Sequence, residues 1–155
     1  MDKLWAPWRL KYVKKIIKHK GCIFCKERGW VVFTKKHSFC MLNIYPYNNG
    51  HLMIVPKKHT GDLSLLNDEE LLDLMQSLNL AKKLLTQVLN PQGFNIGINL
   101  GRIAGAGFPG HVHVHIVPRW HADTNFMPVV AETKVISQSL EELLRKLKIC
   151  VCSIK

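Results

Sequence analysis

The sequence predicts an α+β fold, a mainly antiparallel sheet with one long middle helix and a C-terminal helix against it. Two observations predict it. Short apolar runs rich in β-branched residues and bounded by turn residues recur at 30–35, 38–44, 51–56, 94–99 and 110–120. Between the third and fourth runs lies the one long stretch in which leucines return at helical spacing. No internal repeat, low-complexity tract or linker divides the 155 residues, so a single domain spanning 1–155 is expected.

Composition narrows the function classes. The chain is 47% hydrophobic and 21% charged, an ordinary globular balance. No run of about 18 or more apolar residues is present, so no membrane-spanning helix is expected. The start, MDKLWAPWRLKYV, carries charges and a proline where a signal peptide needs an apolar stretch, so a cytoplasmic protein is expected. Five cysteines, an odd number, argue against a disulfide framework. The formal charge of +11 favours polyanionic partners such as nucleotides, polyphosphates or nucleic acid. The lysines are spread thinly and form no RNA-binding motif, so nucleic acid is not the expected partner.

Each element has its own justification. Residues 1–20 read as an N-terminal arm in which Trp5 and Trp8 flank Pro7, pinned to the body or to a second subunit. The segment 21–29, GCIFCKERG, is a Cys-x-x-Cys knuckle ending in a glycine turn. Two short strands follow, at 30–35 and 38–44, with Cys40 as a packing residue. Residues 45–50, YPYNNG, are turn chemistry before a third strand at 51–56, so these strands pair antiparallel. After a loop, Asn67 or Asp68 caps a helix whose first turn holds Glu69 and Glu70. Its apolar face is Leu71, Leu74, Met75, Leu78 and Leu85, and Asn90, Pro91 and Gly93 stop it. Residues 94–99 form a fourth strand, 100–110 a glycine-rich loop, and 110–120 the fifth strand. The segment 121–134 is irregular, and 137–148 is a C-terminal helix with Ser137 or Ser139 near its cap. Cys150 and Cys152 fall in the tail and have no assigned role.

The chemistry centres on the fifth strand, GHVHVHIVPRW. His111, His113 and His115 alternate with valines, a period of two that places three imidazoles on one face. Neutral imidazole still needs hydrogen-bond partners when buried, so three in register are costly as packing and point to a working site. Imidazole is an uncharged nucleophile near neutral pH, suited to phosphoryl or nucleotidyl transfer. Such a ring must be held in one tautomer by a neighbouring histidine or a backbone carbonyl. His113, flanked on both sides, is the candidate nucleophile; His115 binds a phosphate oxygen or orients the ring. The preceding loop, GRIAGAGFPG, has no GK[ST] and is not a Walker loop. Its glycines, among them Gly105 and Gly107, let backbone N–H groups approach phosphate oxygens. Cys22 and Cys25 have zinc-knuckle or redox spacing; the redox alternative wants a βαβ context that is not supplied here. Zinc needs two further ligands, with His51, His59, His111 and His121 available.

HVHVHIVPRW resembles the His-x-His-x-His signature of the histidine-triad (HIT) superfamily of nucleotide hydrolases and transferases. LWAPWRLKYV, NGHLMIVPKKH, NLGRIAGAG and DTNFMPVVAETKVI resemble the branch containing diadenosine tetraphosphate (Ap4A) phosphorylases and hydrolases, over residues 3–148. The resemblance implies a HIT-like fold, and a dinucleoside polyphosphate substrate cleaved through a nucleotidyl-histidine at His113, with release of AMP to water or ADP to phosphate, plus ATP. It implies that His115 and His51 support the phosphate and the nucleophile, that Asn43 holds ribose hydroxyls, and that Asn99 contacts phosphate or ribose. It implies a structural zinc on Cys22, Cys25, His59 and His111, and a homodimer. One departure stands out. Some branches place a serine or glutamine just before the triad, whereas GAGFPG offers only backbone N–H groups. Two alternatives are a purine-nucleoside phosphoramidase of the same superfamily and a non-catalytic nucleotide- or RNA-binding module.

Overall fold

The computed structural model describes residues 21–26, 29–125 and 136–153. The N-terminal arm with Trp5 and Trp8 and the 126–135 part of the irregular segment lie outside the described residues. Among the described residues the elements are α1 (Ile23–Lys26), β1 (Val31–Thr34), β2 (Ser38–Leu42), β3 (Leu52–Pro56), α2 (Asp68–Leu89), β4 (Gly93–Ile98), β5 (Val114–Arg119) and α3 (Leu140–Ser153), with a 3-10 turn at Leu63–Leu65. The five strands form one sheet in the order β1-β2-β3-β5-β4, and every neighbouring pair is antiparallel. The expected α+β class and all five strands are present.

β2 and β3 are buried along their whole length. Both faces of these central strands are covered, which explains why they read as continuous apolar runs rather than alternating ones. Cys40, Leu42, Leu52 and Ile54 pack on one side with Leu74, Leu78, Leu84 and Leu85 of α2 and Leu143 and Leu147 of α3. Burial pushes the Cys40 thiol strongly up, so it stays protonated and packs as a small apolar group. Phe39, Met41, Met53 and Val55 pack on the opposite side with Phe24. Register puts His115 on this second side, because it pairs with Met53.

Local signals set the ends of α2. Asn67 caps it through a full capping box, accepting from the Glu70 amide while Glu70 accepts from the Asn67 amide, both at 2.9 Å. Asn90 ends it in the left-handed region at φ 45°. Met75 departs from the predicted apolar face and is 45% exposed. The helix lies over β2, β3 and β5, and its inward stripe is Leu74, Leu78, Ala81, Leu84 and Leu85. α3 also departs from its predicted bounds and runs to Ser153, taking in Cys150 and Cys152. It continues because Cys150 and Val151 pack partly against the core, and Cys150 Sγ donates to Gln87 Oε1 at 2.9 Å. Ser139 serves its start, accepting from the Glu142 amide at 3.1 Å.

Polar contacts pin the β1–β2 hairpin to α2, and Asp73 is the buried one among the acids. The Asp73 carboxylate accepts from Ser38 Oγ at 2.6 Å and from the His37 amide at 3.3 Å, with Lys35 Nζ at 3.6 Å. Burial alone would raise its pKa, but the Ser38 and His37 hydrogen bonds and the Lys35 charge together hold it below the ordinary carboxylate value. A depressed carboxylate stabilises the fold above the unfolded-state pKa of about 3.9 and loses that contribution as pH falls through the folded value. Asp73→Asn is therefore expected to destabilise the protein by about 1–2 kcal/mol near neutral pH. Urea denaturation at a series of pH values should show this gap closing below about pH 4. A gap independent of pH would show that the carboxylate charge is not the cause.

Candidate active site and adjoining cysteine–histidine cluster

The strand carrying the triad is shorter than its period-two pattern predicts. β5 starts at Val114, so only His115 lies in the ladder, opposite Met53 of β3 and Gly97 of β4. His111 and His113 precede it because the chain has left the sheet. The His111 amide donates to Phe108 O at 3.3 Å, and the Val112 amide donates to Thr60 O at 2.6 Å. Gly61 permits this crossing of loops, since a Cβ there would run into the Pro109 carbonyl oxygen. The crossing also brings the His59 ring edge-on to His111, with centroids 5.0 Å apart.

The backbone assigns each tautomer, because a carbonyl only accepts and an amide only donates. His113 Nδ1 stands 2.9 Å from the His111 carbonyl, so Nδ1 carries the proton and the lone pair lies on Nε2. The orienting group is a backbone carbonyl, one of the two kinds the sequence leaves open. Burial holds the His113 pKa below its ordinary value, partly opposed by the bond to the His111 carbonyl, and keeps the ring neutral. His51 Nδ1 accepts from the Tyr47 amide at 3.1 Å, so its proton is on Nε2. That proton is donated to His115 Nδ1 at 2.9 Å. His51 is fully buried, and burial, followed by the neighbouring His115 and His113, lowers its pKa to about 3. It therefore remains a neutral donor toward His115 at neutral pH.

His51, His113 and His115 thus come together, although His51 is distant in sequence. The His113 and His115 rings stand edge-on at 4.8 Å, and those of His51 and His115 lie 5.0 Å apart. Asn43 is buried beside them; its Oδ1 accepts from the Tyr45 amide at 2.9 Å and its Nδ2 approaches His51 Nδ1 at 3.4 Å. Alternation along β4 puts Asn95, Gly97 and Asn99 on the face of His115, with Asn99 one residue past the Ile98–Val114 pair. A Cβ on Gly97 would meet nothing within 4 Å, so space stands open beside His115. The Gly105 amide already donates to Arg102 O at 3.1 Å, and its φ is 95°. Gly105 thus shapes the loop turn; Gly107 follows it toward Phe108, whose ring packs on Phe24.

Cys22, Cys25, His59 and His111 form a second cluster, with one donor atom from each and all four within 4.8 Å of one another. His111 Nε2 donates to Pro56 O at 2.9 Å, which leaves the Nδ1 lone pair facing the thiols. Cys22 Sγ lies 3.2 Å from His111 Nδ1, and Cys25 Sγ lies 3.3 Å from His59 Nδ1 and 3.7 Å from His111 Nδ1. A tetrahedral zinc with ordinary Zn–S and Zn–N bonds has S···N edges of about 3.5 Å. The donor set and its spacing fit such an ion. Of the four histidines open to this role, His59 and His111 are in place and His51 is committed elsewhere.

Residues 26–122 match the HIT domain family. This chain belongs to that family. Across 95% of its length it is 37% identical to the AP-4-A phosphorylase of Mycobacterium tuberculosis, covering 83% of that protein. Across 64% of its length it is 38% identical to the adenosine 5'-monophosphoramidase of Schizosaccharomyces pombe, covering 74% of it. The fold is shared with a Zn-bound histidine triad family protein from Mycobacterium smegmatis, with a TM-score of 0.64, 21% identity and coverage of 93% of this chain and 94% of that one. In this HIT domain two contributors escape a reading of the triad alone. Phe24, between the two cysteines, is 2% exposed and floors both His111 and His113 at ring distances of 5.3 and 4.8 Å. Its signal was a large aromatic inside the knuckle. Tyr47 supplies the amide that orients His51, and its ring lies 4.6 Å from that of His51; no side-chain pattern reveals a backbone donor.

Proposed function

We propose that this protein cleaves dinucleoside polyphosphates such as Ap4A in two steps through a nucleotidyl-histidine on His113. One observation carries the reading: the His113 Nδ1 proton is tied to the His111 carbonyl, so the Nε2 lone pair is the attacking atom. Nε2 attacks the α-phosphorus, a P–N bond forms, and the P–O bond to the remaining nucleotide breaks, releasing ATP. Water or inorganic phosphate then breaks the P–N bond and releases AMP or ADP. His115, its Nδ1 occupied by the His51 proton, presents Nε2–H to the phosphoryl oxygens that gather charge. Asn43 and Asn99 serve ribose and phosphate, and the Gly107 backbone takes the part of the missing serine or glutamine. The kinship with the M. tuberculosis AP-4-A phosphorylase supports this substrate class. Kinship with an adenosine 5'-monophosphoramidase favours adenylated amines as the second reading.

The same reading places a structural zinc on Cys22, Cys25, His59 and His111, anchoring the approach to β5. It also joins two copies into a homodimer along the β4 edge. That edge supports it with exposed apolar groups: Ile96 at 50%, Ile98 at 36% and Leu100 at 49%. One domain in the cytoplasm completes the reading, consistent with five cysteines that form no disulfide and with no described helix long and apolar enough to cross a membrane.

His113→Ala is expected to abolish Ap4A turnover while circular dichroism stays unchanged; continued cleavage would overturn the nucleophile assignment. Chromatography of wild-type products should give AMP plus ATP without phosphate if water is the acceptor, or ADP plus ATP with phosphate if phosphorolysis operates. Faster release of AMP from AMP-lysine than cleavage of Ap4A would favour the phosphoramidase. Metal analysis should find about one zinc per chain. Cys22→Ser combined with Cys25→Ser should lower Tm more than it lowers kcat, and metal-free wild type would remove the zinc. Sedimentation should give twice the chain mass, and Ile98→Asp should give a monomer; a monomeric wild type would reject the dimer.

A further inference from the structure

Asn48 has no part in the chemistry above, yet it is buried and its side chain ties two distant segments together. Its Nδ2 donates to Asp123 Oδ2 at 2.8 Å and to Pro118 O at 3.1 Å. Asp123 is gripped in turn by the Arg119 fork, Nε at 2.6 Å and Nη2 at 2.9 Å, and by the Trp120 amide at 3.1 Å. Arg119 Nη1 continues to Asn95 Oδ1 on β4 at 2.7 Å. The end of β5 is therefore bound to the loop that precedes His51.

The position of this clamp matters. β3 and β5 are joined by only three residue pairs, and the ladder stops at Leu52–Ile116, one residue short of His51. Beyond it no strand pairing holds His51 against His115. The His51 carbonyl accepts from the Asn43 amide at 3.0 Å, and Asn49 bonds Ser137 and Gln138. Toward β5 the loop is held by the Asn48 side chain and by Gly50, whose φ is 79° and where a Cβ would strike Leu89 and crowd Pro118. The residue before Asn48 in the same turn supplies the Tyr47 amide, which donates to His51 Nδ1 at 3.1 Å. The other donor to that nitrogen, Asn43 Nδ2, is farther away at 3.4 Å. Neutral imidazole has two tautomers, and the one in which Nε2–H meets His115 needs a donor held at Nδ1.

We propose that Asn48 and Asp123 are positioning residues: their clamp holds the Tyr47 amide on His51 Nδ1, fixing the Nε2–H tautomer that orients His115. The proposal rests on the reading of His51 and His115 as supports of the reacting phosphate. The test is Asn48→Ala in the full chain, with the histidine side chains labelled with nitrogen-15 and read by NMR at neutral pH, alongside kcat and KM for Ap4A. His51 should change from a single Nε2–H tautomer to a mixture. kcat should fall by about 10²-fold, the effect expected of a misplaced catalytic group. KM should stay within about threefold, because ground-state binding is not removed. A His51 that keeps one tautomer, or a folded variant with unchanged kcat, overturns the proposal. If Asn48→Ala does not fold, isosteric Asp123→Asn carries the same test, with the same direction and a smaller change; an unchanged His51 spectrum overturns the clamp. If the wild type does not cleave Ap4A, the proposed reaction fails separately, and the tautomer readout still decides the clamp.

Discussion

Buried imidazoles can share one small volume only if each is neutral and each nitrogen has a defined partner. That constraint governs this structure. His51 and His111 are almost wholly buried, and His113 is 5% exposed. Burial lowers all three pKa values, so none of the three rings carries a charge that the surroundings would have to balance. Each proton is then placed by a main-chain group with one hydrogen-bonding sense: the His111 carbonyl for His113, the Pro56 carbonyl for His111, the Tyr47 amide for His51. Neutrality and a fixed tautomer are also what a nitrogen nucleophile requires, so the condition for folding and the condition for reactivity coincide.

His111 joins the two clusters. Its Nδ1 faces the thiols of Cys22 and Cys25, its Nε2 is tied to the end of β3, and its carbonyl orients His113. Phe24 closes the gap between them by packing on both rings. The cysteine knuckle thereby stands directly behind the triad, although 89 residues separate Cys22 from His111. The loop crossing at Gly61 and Pro109 makes this approach possible, because the absence of a Cβ lets one backbone lie against another.

The sheet was legible because its signals are local. Continuous apolar runs at 38–42 and 52–56 belong to strands covered on both faces, and the Asn67–Glu70 box and Asn90 bound the middle helix where side-chain chemistry predicts. The errors have a common physical origin. Period-two spacing of the three histidines predicted a strand, but the amides of His111 and Val112 bond to Phe108 and Thr60, so the ladder starts only at Val114. Met75 fits the helical stripe, yet burial depends on what lies opposite, and Met75 is 45% exposed. α3 outruns its predicted end because Cys150 and Val151 find core to pack on.

The sequence by itself determined the secondary elements, the residue types able to bind metal or attack phosphorus, and the identity of the triad, since each depends on spacing over a few residues. Only the tertiary structure decided which nitrogen of each histidine holds the proton, how Cys22 and Cys25 come to lie against His59 and His111, and how Asn48 meets Asp123. The last two join side chains up to 89 residues apart. The first depends on backbone carbonyls and amides up to 55 residues from the ring they bind. Every residue carries such groups alike, so no pattern of side chains records where they will meet.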